Sequence, residues 1–413
     1  MNIAMLSYHT CPLAILGGKN TGGMNVYVRE LTRHLGMHNV HVDVFTRSEN
    51  EHVPHVLHDL GFGNRVVHIP AGPEVTLPKL ELVEHIDTFA HNILAFSESK
   101  KIKYDLIHAH YWMSGIAGAQ LKAAWSLPML TMFHTLGLVK QTIARSSDEM
   151  EGDYRIQGEI QAIAAADQII AATASERDQL TSLYNCQPDK IAIIPPGVDT
   201  AHFYPIDQDE AKEAIDIPTS DRMVLFVGRI EPLKGIDTLI RAMAILKLEC
   251  GQCPHYLVII GGDADLPADK TSDEMARLQN LCSSLGLDEV ILFLGKRGQD
   301  TLSYYYSAAD LLVMPSFYES FGMVALEAMA CSTPVIASDV GGLSHLIQHG
   351  ETGFLVPSQD PVALADTMRT ILQNDELRQQ IGKNAVAYAQ NYDWTRISAR
   401  ILNLYTSRLS SHP

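Results

Sequence analysis

Two glutamates eight residues apart, Glu319 and Glu327, enclose the run Ser320-Phe321-Gly322-Met323-Val324-Ala325-Leu326. The second lies within Val-Ala-Leu-Glu-Ala-Met-Ala, where a carboxylate without a partner is costly to bury. A hydroxyl-rich ligand supplies such partners, because a sugar or a ribose donates O–H groups that carboxylates accept. Upstream, Phe226-Val227-Gly228-Arg229-Ile230-Glu231-Pro232-Leu233-Lys234-Gly235 sets a guanidinium fork and a compact ammonium five residues apart. That combination suits a diphosphate. The plainer readings are a helix-capping Glu319 and a solvated pair of loop cations; capping leaves Glu327 unexplained.

The first half of the chain carries a second set. Gly17-Gly18-Lys19-Asn20-Thr21-Gly22-Gly23-Met24-Asn25 follows the first apolar run and precedes a helix expected to start near Val26. Its glycines let backbone N–H groups approach an anion, although the spacing is neither a Walker loop nor GxGxxG. Lys79, the run His108-Ala109-His110-Tyr111-Trp112, the pair His134-Thr135 and Arg155 add cations, rings and a hydroxyl. His108 and His110 share one side of a strand by period two, but no third ligand at suitable spacing completes a metal site. Asp339-Val340-Gly341-Gly342-Leu343 offers a further anion seat. Cys250-Gly-Gln-Cys253 lacks the second pair that a zinc ribbon needs.

Short Val/Ile-rich runs alternating with stretches of helical period give the pattern of parallel sheets. Strands are expected at Asn2–Ser7, Val40–Thr46, Arg65–Ile69, Leu106–His110, Met129–His134, Gln168–Ala172 and Lys190–Ile194. A second series runs Met223–Gly228, His255–Gly261, Val290–Leu294, Leu311–Met314, Pro334–Ser338 and Gly353–Val356. The fold class is α/β, with two doubly wound Rossmann-like domains facing one another across a cleft, at residues 1–196 and 197–390. Pro195-Pro196-Gly197 marks the boundary, since two prolines cannot extend a central strand. A polar helical tail, 391–413, is long enough to cross back to the first domain. In open α/β sheets ligands bind beyond the carboxyl ends of the strands, where these clusters fall.

The 413 residues, 46% hydrophobic, exceed one core at about 150 residues per domain. With 31 Lys and Arg against 48 Asp and Glu, the net charge of −17 excludes the basic face that nucleic acid requires. No 18-residue apolar run suggests a membrane span. The N-terminus, Met1-Asn2-Ile3-Ala4-Met5-Leu6-Ser7, reads as a strand rather than a signal peptide, and six scattered cysteines fit a reducing compartment. A cytoplasmic protein is expected. Its oligomeric state is open, a homodimer included.

Together these motifs resemble family 4 of the glycosyltransferases, retaining enzymes of GT-B architecture, over essentially the full chain. The Glu319/Glu327 pair with Ser320-Phe321-Gly322 between them, preceded by Gly228-Arg229 and Lys234-Gly235, carries the resemblance. Within the family, Gly22-Gly23-Met24-Asn25-Val26-Tyr27-Val28, His110-Tyr111-Trp112-Met113-Ser114-Gly115 and His134-Thr135-Leu136 look most like the inositol-phosphate glycosyltransferases, the N-acetylglucosamine transferases of mycothiol biosynthesis. The sucrose-phosphate synthases are similar too, and Leu77-Pro78-Lys79-Leu80-Glu81-Leu82 fits them equally. They usually carry Gln where this chain has Met24, and a glycine-rich stretch in place of Tyr111-Trp112.

The resemblance implies transfer of a hexosyl group, with retention, from a nucleotide-diphosphate sugar, first of all UDP-linked, to a phosphorylated polyol or sugar. Arg229 and Lys234, with backbone N–H groups at Gly22 and Gly23, would hold the leaving diphosphate without a metal ion or further cofactor. His134 and Glu319 would contact the donor sugar, Glu327 the ribose and Arg297 the base, beside Phe321, Gly322, Met323 and Val324. Lys79, Tyr111, Thr135 and Arg155 would hold the acceptor's phosphate, and Asn25 its ring. The alternatives are glucose transfer to fructose 6-phosphate and a nucleotide-sugar epimerase or hydrolase of the same architecture. A dehydrogenase is disfavoured, since no GxGxxG follows a strand with an acid about twenty residues on.

Overall fold

The computed structural model of the chain describes residues 1–14, 21–143, 150, 152–250, 255–262 and 273–411. Gly17, Gly18, Lys19, Asn20 and Cys253 lie outside the described residues, as does the side chain of Cys250. The chain divides after Pro196 into two α/β units, with Trp394–Pro413 belonging to the first.

The first unit holds β1 (Asn2–Leu6), β2 (His41–Arg47), β3 (Val56–Leu57), β4 (Arg65–Ile69), β5 (Leu106–His110), β6 (Met129–Met132), β7 (Gln168–Ala171) and β8 (Ile191–Ile193). Their order across the sheet is β3-β4-β2-β1-β5-β6-β7-β8, parallel except for the antiparallel β3 at the edge. In register, Ile3 lies beside Val42 on one side and Leu106 on the other. Connections run outward in both directions from β1 and β5, so the switch point of a doubly wound sheet falls between them. Near-continuous burial along β1, β5, β6 and β7 reflects helices covering both faces, which is why these strands read as apolar runs.

The second unit contains β9 (Arg222–Val227), β10 (His255–Ile260), β11 (Ile291–Gly295), β12 (Leu311–Met314), β13 (Val335–Ser338) and β14 (Gly353–Val356), in order β11-β10-β9-β12-β13-β14 and wholly parallel. Its switch point lies between β9 and β12. Val224, Leu239, Ile259, Val313, Ile336 and Met368 are buried in one core. Each such side chain taken from water stabilises the unit by about 1.5–3 kcal/mol.

The two doubly wound domains expected from the alternating pattern are present, and the differences from the expected elements are local. The strand read as Met129–His134 ends at Met132, and His134 turns into the left-handed region at φ 62°. The helix expected near Val26 begins at Gly23, helped by the Asn25 side chain, whose Oδ1 accepts from the Gly22 N–H at 2.9 Å. The helix expected near Phe321 begins at Met323, because Gly322 takes φ 106° and delays the first turn. β3 went unread, since two residues at a sheet edge carry no periodicity.

The final helix, Trp394–Ser411, packs in the first unit against the helix Gly23–Met37. The Trp394 ring meets that of Tyr27 edge-on at 5.3 Å, and the Tyr405 hydroxyl stands 2.6 Å from His108 Nδ1.

Candidate functional site

In the second unit, the loops following β9 and β12 flank the switch point and are laced together. The Phe317 N–H donates to the Leu233 carbonyl at 2.9 Å, and a methyl on Gly235, at φ 63°, would lie 2.1 Å from the Pro315 carbonyl oxygen. This lacing brings Lys234 Nζ to 2.5 Å from Glu319 Oε2. Glu319 therefore pairs with a cation rather than capping the following helix, whose N-cap is Gly322. Arg229 meets Glu231 at 2.8 Å.

Glu327 is nearly buried, one turn inside the helix Met323–Ala330, and accepts from the Tyr306 hydroxyl at 2.7 Å. The Phe321 ring is buried against Tyr392, while Met323 and Val324 are half-buried in the helix's first turn, where N–H groups have no intrahelical acceptor. Gly341 and Gly342 pack on the backbone of this loop: the Gly342 N–H donates to the Glu319 carbonyl at 2.8 Å. Arg297 stands apart, beyond the edge strand β11, bonded to the Tyr305 hydroxyl and the Lys296 carbonyl.

In the first unit, the residues beyond β1, β5 and β6 converge at the other switch point. Tyr111 leaves β5 at φ 75°, its N–H held by the Met132 carbonyl. Arg155, 1% exposed, lies over the Tyr111 ring at 5.1 Å, and donates to Thr135 O and Oγ1, each at 3.0 Å. Its Nε pairs with the fully buried Glu159 at 2.8 Å, one helical turn on. Close helix approach fixes this height, for a methyl on Gly158 would lie 2.3 Å from the Trp112 ring. Lys79 is half-buried at the start of the short helix Lys79–Leu82, which the Tyr8 hydroxyl anchors through the Leu82 carbonyl.

His9 completes this cluster: its ring sits 4.4 Å from that of Tyr111, and its buried Nδ1 has no hydrogen-bond partner among the described residues. Burial first, then the charges of Lys79, His134 and Arg155, push its pKa down to about 3. Asn25 is buried with its amide engaged, donating to Thr10 Oγ1 and the Cys11 carbonyl at 2.7 Å, so it ties the loop after β1 to the helix. Gly22 and Gly23 open that helix.

The sequence reading has Arg229 and Lys234 after β9, Glu319 after β12 and Glu327 inside the following helix, as in the structure, but did not single out Tyr306, His9 and Glu159. Glu159 was legible at i+4 from Arg155. His9 was legible only as a residue just past the first strand, and Tyr306 had no signal at all. No group of three or more His, Cys, Asp or Glu among the described residues is placed to hold a metal ion.

The comparisons with known proteins place the chain in a family. Residues 21–202 match the family described as Glycosyltransferase Family 4, and residues 207–387 match Glycosyl transferases group 1. The chain is 38% identical over 411 residues to the D-inositol 3-phosphate glycosyltransferase of Acidothermus cellulolyticus, covering 99% of this chain and 90% of that one. This chain is a family 4 glycosyltransferase.

Among solved structures, the family 4 fold matches sucrose-phosphate synthase from Thermosynechococcus elongatus at a TM-score of 0.90 and 34% identity, covering 99% of each chain. Anabaena Alr3699/HepE, solved with UDP and glucose, matches at 0.75 and 22% identity, covering 98% of this chain and 100% of that one, a likeness of fold alone. No described helix of this glycosyltransferase is long and apolar enough to cross a membrane.

Proposed function

We propose that this glycosyltransferase moves a hexosyl group from a UDP-sugar to a hydroxyl of an inositol phosphate, with retention at the anomeric carbon and without a metal ion. The observation that carries the acceptor reading is the cluster of Arg155, Thr135 and Tyr111, with Lys79 and Arg155 both felt by His9. A phosphate is the ligand such a fixed, largely desolvated guanidinium with a neighbouring ammonium favours. Sequence similarity to the inositol-phosphate enzymes, and Tyr111-Trp112 where the sucrose-phosphate synthases usually have glycines, favour inositol over fructose as the ring that bears it.

In the second unit, Lys234 and Arg229 hold the diphosphate and neutralise the charge that grows on it as the anomeric C–O bond breaks. Glu319 accepts from the sugar's hydroxyls and Glu327 from the ribose, with Phe321, Gly322, Met323, Val324 and Arg297 completing donor recognition. The acceptor hydroxyl attacks the same face from which the diphosphate leaves. Its proton passes to the departing phosphate oxygen, so the products are the glycoside and UDP. Among the described residues of the first unit, no carboxylate is read as the nucleophile that retaining glycosidases use. His134 contacts the transferred sugar.

The test is an acceptor screen with labelled UDP-glucose and UDP-N-acetylglucosamine against inositol phosphate, fructose 6-phosphate and their dephosphorylated forms, each with and without chelator. Inositol phosphate should give the highest kcat/KM, an axial product linkage and a rate indifferent to chelator. Preference for fructose 6-phosphate would instead place the chain with the sucrose-phosphate synthases, and UDP release without a glycoside would make it a hydrolase.

A further inference from the structure

Behind the acceptor cluster lie further histidine rings. His110 closes β5 and is fully buried, with its Nδ1 3.0 Å from His134 Nε2. The His108 ring lies 4.2 Å from it and the Tyr27 ring 5.5 Å, while its own Nε2 is buried with no hydrogen-bond partner among the described residues. His134 is placed differently. It belongs to no strand or helix, its backbone sits at φ 62°, and its ring edge meets Tyr27 at 5.3 Å.

We propose that His110 is the positioning residue for His134, its Nδ1 contact fixing the His134 ring plane and committing Nε2, so that Nδ1 is the ring nitrogen His134 offers to a ligand. This rests on the reading of His134 as a donor-sugar contact. A contact between two imidazole nitrogens needs one proton between them, with one ring donating and the other accepting. Burial pushes both rings well below the usual histidine range, His134 to about 3, so each stays neutral and the pair shares a single proton. Protonating either ring would place an imidazolium in a desolvated floor.

Whichever ring donates, the tautomer of His134 follows from its partner. If His110 donates, His134 carries its proton on Nδ1 and meets the ligand as a donor; the reverse leaves Nδ1 bare as an acceptor. The partner ring is itself held. Tyr405, reaching in from the C-terminal helix, binds His108 Nδ1 at 2.6 Å and backs His108 against His110. A turn residue in left-handed backbone gains from this, because its ring orientation is not set by the pleat of a strand.

The experiment pairs ring-nitrogen NMR of histidine-labelled protein, with the His134 signals assigned by their loss in His134→Ala, with steady-state kinetics. His110→Asn keeps an amide at the Nδ1 position and should preserve a single His134 tautomer and kcat within about threefold. His110→Phe and His110→Gln, the latter moving the amide to the Nε2 position, should mix the tautomers and lower kcat about tenfold or more, with acceptor KM nearly unchanged. Having both loss variants keeps the test decisive if one fails to fold. An unchanged His134 pattern in a folded loss variant, or an Asn variant as impaired as they are, overturns the positioning role. Mixed tautomers with wild-type kcat in the loss variants and in His134→Ala uphold the contact and overturn the donor-sugar reading of His134.

Discussion

Lys234 Nζ and Glu319 Oε2 stand 2.5 Å apart, although 85 residues separate them in the chain. They come from the loops after β9 and β12, the two strands on either side of the second sheet's switch point. An ammonium read as gripping a diphosphate and a carboxylate read as accepting from sugar hydroxyls are thus set one against the other. On the proposed reading, the diphosphate and the sugar of one donor meet this pair side by side.

Lys234→Ala should lower kcat by about 10²- to 10³-fold, the range for deleting one preorganised donor from a developing negative charge. The melting temperature should move by only a few degrees, since the partner carboxylate is partly solvated and its loss costs about 1–3 kcal/mol. Initial rates at saturating donor, beside a thermal melt, check both; wild-type turnover would remove Lys234 from the leaving-group role.

Lys79→Ala is the cleaner probe of the acceptor phosphate. Lys79 is half-buried, and its loss should raise KM for a phosphorylated acceptor about tenfold or more while leaving the unphosphorylated one unchanged. Arg155→Ala is different in kind, because it removes the cation paired with the buried Glu159, which keeps only its neutral donors, the Gly137 N–H and the Tyr184 hydroxyl, and should cost about 3–5 kcal/mol of stability. Chemical denaturation of the two variants should separate a binding residue from one that also holds the fold.

Gly235→Ala should lose activity without touching any group that meets substrate. Its φ of 63°, and the Pro315 carbonyl oxygen 2.1 Å from where a methyl would sit, leave no room for a side chain, so the β9 loop must shift and carry Lys234 with it. A crystal structure of the variant, read beside kcat, would show whether the Lys234 to Glu319 distance opens.

Acid should unfold the first unit early. His9, His108 and His134 have pKa values pushed to about 3 by burial, and His110 is lowered too. Each titrates near 6.5 once unfolded, so the unfolded chain binds the extra protons. The stability these neutral rings contribute is fully present above pH 6.5 and is lost progressively as pH falls from there toward 3. Melting temperature followed from pH 8 to 4 should fall steeply below 6, and less steeply in His108→Gln.

Much of the fold was legible because parallel strands buried on both faces spell themselves out as apolar runs, and because Pro195-Pro196-Gly197 interrupts them. Thus β4, β5, β12 and β14 have the bounds that the pattern gives. The start of the helix at Met323 was not legible, since it depends on Gly322 adopting φ 106° against the packing of Leu343. Nor was the end of β6, where the chain leaves the pleat to turn His134 toward His110.

By itself the sequence determined which residue types stand at which strand ends: cations after β9, a carboxylate after β12, rings and a hydroxyl after β5 and β6. Strand-end position follows from local period and so survives without coordinates. Partner choice was decided by the tertiary structure alone. Lys234 with Glu319, Glu327 with Tyr306, Arg155 with Thr135, and His108 with Tyr405 across 297 residues are set by sheet order and helix packing. A buried polar group must find its partner wherever the fold brings one, and distance along the chain carries no record of it.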